Sequence, residues 1–300
     1  MFRERKVVTV TDSTCDIPPD LAREHGITIV SLEVRFDTRR GEIYKDGVDM
    51  TSADFFDKLR TSKVHPGTSA PPVGEFEETY IEIMERTRSI FSIHLFDDYS
   101  GTLKIAQMAA KKVIEDDTSH NKPDIRVKDS GQVSLGLGIA ALRAAKLAER
   151  RKKLPEIEEE INALLPRIYT FCVLPTLEYA RKGGRLSNVD NLASYIPSFL
   201  HKVPLLRIYD GRIRRIKFIK DNDKVNGLIT YVKEFAKGNE IKFEEMAIIH
   251  GKALAEAQSI QDTLKDMTDY NLGIFELGPA LGVHSGPGTV AVSVLLSEKT

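Results

Sequence analysis

The sequence predicts an α/β protein: an N-terminal unit built on a mostly parallel sheet flanked by helices, followed by an α+β unit. Three observations carry this expectation. In the first half, short β-rich runs alternate with helical periods, the pattern of strand–loop–helix units. The charged stretch "AERRKKLPEIEEE" then breaks that rhythm, which places a division between 1–153 and 154–300. Beyond it, Asp210-Gly211 between two apolar runs is the strongest hairpin signal in the chain and announces antiparallel pairing.

The elements follow in order. "KVVTV" reads as a strand that stops at "TDSTCDIPPD", where Asp16 is placed to cap a helix opening near Pro18 or Pro19. "ITIVSLEVRF" reads as one strand, and "TSADFFDKLRTS" as a short helix with a capping box from Thr51 to Asp54. "HPGTSAPP" is expected to be irregular. "VGEFEETYIEIMERTRS" has helical period, "IFSIHLF" is a strand, and a helix opens near Ser100, followed by the strand "DIRVKDS" and the helix "VSLGLGIAALRAAKLAERRKK". In the second half "RIYTFCVLPT" is a strand and "LEYARKGGRLS" a short helix ending in glycines. "VPLLRIYDGRIRRIKFI" is the hairpin, and a helix, the strand "EEMAIIHG", another helix and final strands complete the chain.

Composition narrows the functional classes. The chain is 41% hydrophobic and 29% charged, ordinary for a globular protein, and no apolar run has the length of a membrane helix or signal-peptide core. Cys15 and Cys172 share no metal-type spacing and are expected to be reduced, as in the cytoplasm. A net charge of −1 argues against nucleic-acid binding by the molecule as a whole. Residues 181–224 nevertheless carry a net +7, from eleven Lys/Arg against four Asp, and the remainder carries −8. Such a segment is either a solvated strand face or a docking surface for an acidic partner or an anionic membrane. A period of two predicts that Arg212 and Arg214 face one way and Arg215 and Lys217 the other.

Several motifs fail. Gly136-Leu137-Gly138 lies inside a helical pattern, where small residues pack a helix closely, rather than at a strand end where a dinucleotide fingerprint belongs. Ser285 adjoins His284, but sequence neighbours do not make a nucleophile–base pair. The seven histidines show no metal-ligand spacing, so no metal and no cofactor are expected. What survives is a set of loops at strand ends: "TDST" (11–14), "GTSAPP" (67–72), "YSGT" (99–102) and "GVHSGPG" (282–288). Ser100, Gly101 and Thr102 open a helix and offer hydroxyls with unpaired amides; Thr68 and Ser69 add donors, and His284 one more. Together they describe a compact anion pocket without a strong fixed cation, better suited to a carboxylate than to a triphosphate.

"DSTCDIP", "TSAPP", "SGT", "DSGQVSLGLG", "LEYARKGGRLS", "PLLRIYDGRI" and "LGPALGVHSGPG" follow one another in the order and spacing of the DegV family, which the chain resembles over nearly its whole length. That resemblance implies a cytoplasmic fatty-acid-binding protein, with a long-chain fatty acid buried between the two units and no catalytic residues of its own. It implies that Thr68, Ser100 and His284 hold the carboxylate, with Ser69, Gly101 and Thr102 adjacent. Arg185, in "GGRLS", matches an Arg near the pocket mouth and the contact with a fatty acid kinase, which makes an acyl phosphate for phospholipid synthesis. A monomer, with transient contact to an anionic membrane, completes this expectation. The chain departs from the family pattern at "FDDY", where Asp97 and Asp98 would repel a carboxylate unless they point outward. The competing readings are a serine esterase using Ser100 or Ser285, a kinase-like phosphotransferase, or a regulatory module whose basic hairpin alone matters.

Overall fold

The computed structural model describes residues 6–37, 41–190, 201–238 and 240–298. Strand β1 (Val8–Asp12) is followed by helix α1 (Pro19–Glu24), β2 (Ile27–Val30), β3 (Glu33–Asp37) and β4 (Glu42–Lys45). Then come α2 (Ser52–Thr61), β5 (Gly67–Ser69), α3 (Val73–Met84), β6 (Ser89–His94), α4 (Thr102–Asp116) and β7 (Asp124–Asp129). Strands β2, β1, β6 and β7 pair in that order, all parallel, so the expected α/β sheet is present. Its two faces are closed by different helices. Phe76, Tyr80 and Ala106 of α3 and α4 cover Val10 and Ile90 on one side, and α5 (Leu135–Glu149) with α6 (Leu154–Leu164) covers Phe91 and Ile93 on the other.

All four of these strands precede residue 154 and every strand of the next sheet follows it, while α6 packs back on α5 and β6. The second sheet is built from β8 (Ile168–Val173), β9 (Val189–Asp190), β10 (Lys202–Tyr209), β11 (Arg212–Lys220), β12 (Phe243–His250), β13 (Thr268–Glu276) and β14 (Val290–Leu296). It has seven strands in the order β13-β12-β14-β8-β10-β11-β9, with parallel pairs only at its two edges. Helices α8 (Lys224–Gly238) and α9 (Leu254–Leu264) cover one face around Phe171, Leu205 and Ile248. The other face, with Cys172, Leu206, Ile249 and Ala291, meets the three-stranded sheet β4-β3-β5 and the short helices α7 (Glu178–Lys182) and α10 (Pro279–Ser285). Helix α5 is buried along nearly its whole length because it lies between both large sheets, which explains its run of Gly and Ala.

Local chemistry accounts for much of this. Thr51 accepts from the Asp54 amide at 3.1 Å and starts α2 as the sequence predicts. Asp210 (φ 51°) and Gly211 (φ 67°) form the tight hairpin turn, both in the left-handed region that a right-twisted two-residue hairpin requires.

Five expectations are corrected. Asp16 caps no helix ahead of it: it sits at φ 52° after the 3₁₀ turn Ser13–Cys15, and its carboxyl reaches Ser134 and Gly278 instead. "ITIVSLEVRF" is two strands in two sheets, broken where the Leu32 amide donates to Ser13 Oγ at 3.0 Å. Gly67–Ser69, inside the segment expected to be irregular, is strand β5, paired with β3. The glycine-rich "GVHSGPG" is not a loop throughout, since α10 runs through His284 to Ser285. Lys217 does not share a face with Arg215: a β-bulge shifts the register between Leu206–Arg215 and Leu205–Lys217. Arg212, Arg214 and Lys217 therefore share the α8 face, where Lys217 lies over Tyr231, while Arg215 lies over Phe218 on the opposite side.

Candidate functional site

The four strand-end loops meet above the seven-stranded sheet. Helix α10 is the pivot. Pro279 opens it and Gly286 (φ 78°) closes it, and a side chain at Gly286 would run into the Tyr179 ring. This short helix presents His284, which is 6% exposed, toward β5 and the start of α4. His284 Nε2 lies 2.9 Å from Thr68 Oγ1. Its Nδ1 has no partner among the described residues and faces Gly183, where a Cβ would stand 2.2 Å away. Glycine is thus required beside the ring.

Ser100 and Thr102 hydroxyls lie 2.9 Å apart, and the Thr102 amide donates to Ser100 Oγ at 3.3 Å. Thr14, Thr68, Ser100, Tyr99, Arg185 and His284 line one small pocket. The same Tyr99, Arg185 and His284 also line a larger apolar cavity against Cys172, Leu206, Ile208, Ile213 and Ile249. The free space enclosed in that cavity is about 80 Å³.

The electrostatics differ from the sequence expectation. Arg185 stands in the pocket, its guanidinium 5.5 Å from the Tyr99 ring centre and its Nε without a partner among the described residues. The reading of an anion pocket without a fixed cation is overturned. His284 carries no charge there: burial, then Arg185 and His65, hold its pKa down to about 3. Burial likewise pushes the Tyr99 hydroxyl up to about 12 and the Cys172 thiol to about 12, so neither is a nucleophile at neutral pH.

Not every predicted residue joins the pocket. Ser69 lies on the opposite side of β5 from Thr68 and donates to Glu33 Oε2 at 3.0 Å. Gly101 is the exposed N-cap of α4, and Thr102 is fully buried behind Ser100. Asp97 turns to Lys104 at 2.9 Å and Asp98 is exposed, so both acids of "FDDY" point away from the pocket. Tyr99 and Gly183 were not singled out from sequence: a tyrosine before "SGT" and one glycine of a pair carry no signal until α7 is packed against α10.

The serine readings gain no support. Ser285 Oγ donates to the Leu281 carbonyl at 2.8 Å, and His284 pairs with Thr68 rather than with either serine. A chain with triad connectivity does exist elsewhere: Ser92 Oγ is 2.7 Å from His94 Nε2, and His94 Nδ1 is 3.0 Å from Asp12 Oδ2. All three are fully buried in the first sheet and Ser92 is also bound by the Tyr80 hydroxyl, so no substrate reaches them in this arrangement. Among the described residues no cluster of side chains suited to a metal ion is found, and no helix is long and apolar enough to cross a membrane.

A family model described as "Uncharacterised protein, DegV family" matches residues 6–297. The chain belongs to the DegV family. A DegV domain-containing protein of Caldanaerobacter subterraneus subsp. tengcongensis is 31% identical to this DegV chain over 297 residues, covering 98% of this chain and 99% of the relative. Two solved structures share the fold at 25% identity and a TM-score of 0.83. One is a DegV family protein from Thermus thermophilus, reported for its fatty acid binding, with coverage of 97% of this chain and 99% of that one. The other is DegV from Bacillus subtilis, reported as a fatty acid binding protein, with coverage of 98% and 100%.

Proposed function

We propose that this protein binds a long-chain fatty acid without catalysing a reaction on it, the carboxylate in the small polar pocket and the chain along the apolar cavity. One observation carries the reading: Arg185, a cation whose Nε has no partner among the described residues, stands beside an uncharged His284 where the polar pocket opens into the apolar cavity. An anion with a long apolar body satisfies both surroundings at once. In this arrangement His284 Nε2–H donates to Thr68 Oγ1, which frees the Thr68 hydroxyl proton for the carboxylate. Ser100 supplies a second hydroxyl, and Arg185 the charge. Gly101 and Thr102 act by setting Ser100, and Ser69 takes no part. Each buried methylene adds about 0.8 kcal/mol, so the tail supplies affinity and the head pocket selects the acid.

The relatives reported to bind fatty acids support this reading. From the resemblance in sequence we propose further that a fatty acid kinase takes the bound acid to an acyl phosphate. On that resemblance the protein works as a cytoplasmic monomer, and Arg185 lies toward the kinase or transient anionic membrane contact. The shared face of Arg212, Arg214 and Lys217 offers a basic docking surface. Charge reversal at Arg212 and Arg214 is expected to slow association with either partner and flatten its salt dependence. Mass spectrometry of an organic extract of the purified protein tests the central reading. Stoichiometric fatty acid is expected, and the reading fails if no lipid is extracted and added palmitate leaves the melting temperature unchanged.

A further inference from the structure

Two carboxyl groups that the head pocket does not use converge at the opposite end of α10. Asp16 comes from the turn after β1 and Asp46 from the turn after β4, and they are 8% and 3% exposed. Asp16 Oδ1 accepts from the Gly278 amide at 2.9 Å, and its Oδ2 from the Ser134 hydroxyl at 2.7 Å. Asp46 accepts from the Ser13 hydroxyl and the Ala280 amide. A Cβ at Gly278 would stand 2.9 Å from Asp16 Oδ1 and 3.4 Å from Asp46 Oδ1, so the two carboxyls flank one point at the first turn of α10. Asp46 Oδ2 has no partner among the described residues.

Among the described residues no counter-charge faces the two acids. The titratable neighbours are Asp12 on β1, itself held by Thr14, His94 and the Leu95 amide, and the buried thiol of Cys15. From α5 comes only the Ser134 hydroxyl and from α10 only amides, and no described cation pairs with either acid. Two carboxylates so placed in a low-dielectric interior cannot both ionise cheaply, and the pair keeps a proton. Burial, reinforced by the neighbouring acids, pushes Asp16 up to about 8 and Asp46 up to about 7.

We propose that Asp16 and Asp46 form a one-proton clamp that positions α10, and through it His284 against Thr68. They are positioning residues, since neither lines the head pocket. While the proton is held, Gly278 and Ala280 are drawn onto the two carboxyls and the helix is seated. Loss of the proton leaves two like charges on either side of the Gly278 amide, and their repulsion displaces the first turn. Because α10 has only seven residues, that displacement reaches His284 in its last turn. A carboxyl whose folded pKa lies above its ordinary value stabilises the fold below that ordinary value. The stability is lost as pH rises through about 7 to 8.

The consequence for the ligand rests on the carboxylate-binding reading, whereas the clamp does not, so the test is read first on lipid-free protein. The ¹H–¹⁵N signals of the His284 ring and the melting temperature are followed from about pH 5.5 to about pH 9, with the window set by the two raised pKa values. His284 stays neutral throughout, so movement of its signals reports its surroundings. The ring signals are expected to change with a midpoint between about 7 and 8, and the melting temperature to fall up to that range and level off above it. Asp46→Asn, neutral at every pH, should flatten the ring signals while keeping the low-pH spectrum, and should leave the melting temperature only the shallower slope of buried Asp16. Asp16→Asn should do the same and serves if Asp46→Asn does not fold. A flat profile in the unmodified protein, or Asn variants that titrate as it does, overturns the clamp. The nearby His65 cannot imitate the expected result, because its titration would survive in the Asn variants. Palmitate binding to the same samples separates the two ideas: a clamp profile with no binding at any pH keeps the clamp and ends the fatty-acid reading.

Discussion

His94 and His284 are both buried histidines, yet they stand in opposite situations. His94 is 0% exposed, and both ring nitrogens are bonded, to Ser92 and Asp12. His284 has one nitrogen bonded to Thr68 and one against Gly183 with no partner among the described residues, and it borders two cavities and an arginine. A buried polar network that closes on itself stabilises the fold. One that ends at an arginine Nε with no partner among the described residues and at an open cavity is completed by something else. Resemblance to a catalytic triad therefore misleads at His94, and the less orderly site at His284 is the functional candidate.

Removing His94 gives the largest expected effect. His94→Ala strips Asp12 of a buried partner and should cost about 3–5 kcal/mol in chemical denaturation, with palmitate affinity of the folded fraction unchanged. Loss of affinity with little loss of stability would invert the comparison. Arg185→Ala should act the other way, weakening palmitate binding by about 1.5–3 kcal/mol in calorimetry while leaving stability close to that of the parent. Gly183→Ala sharpens the contrast, because its methyl must displace the His284 ring. About 1–3 kcal/mol of stability should be lost and affinity should fall with it.

The effect that is smallest near neutral pH, and grows below it, is on acid stability. His284 titrates near pH 3 in the fold against an ordinary 6.5, so stability intact above pH 6.5 is lost as pH falls toward 3. His284→Gln should remove that slope, at most about 1.4 kcal/mol per pH unit, from a pH series of unfolding curves. Equal slopes in both proteins would show the ring to be protonated in the fold. Affinity lost on Thr68→Val should be independent of pH between about 5.5 and 6.5, below the range in which Asp16 and Asp46 lose their protons, since the ring stays neutral there.

Much of this was legible in the amino-acid order because it depends on neighbours in the chain. Strand–helix alternation, the Thr51 cap and the Asp210-Gly211 turn are decided within a few residues, by periodicity, by one hydroxyl reaching one amide, and by the left-handed backbone that a tight hairpin demands. The order of the motifs was enough for the family and for Thr68, Ser100, Arg185 and His284 as residues of interest. Which of them meet was not a local matter. Ser69 turns to Glu33 because a strand alternates its faces, and β5 became a strand only by pairing with β3. The bulge that carries Lys217 to the face of Arg212 and Arg214 arises from pairing with β10. Arg185 enters the head pocket, and His284 loses its charge, only when α7 and α10 pack over the seven-stranded sheet. Charge and burial there are set by groups that stand about a hundred to two hundred residues apart in the chain, and desolvation is a property of the assembled interior.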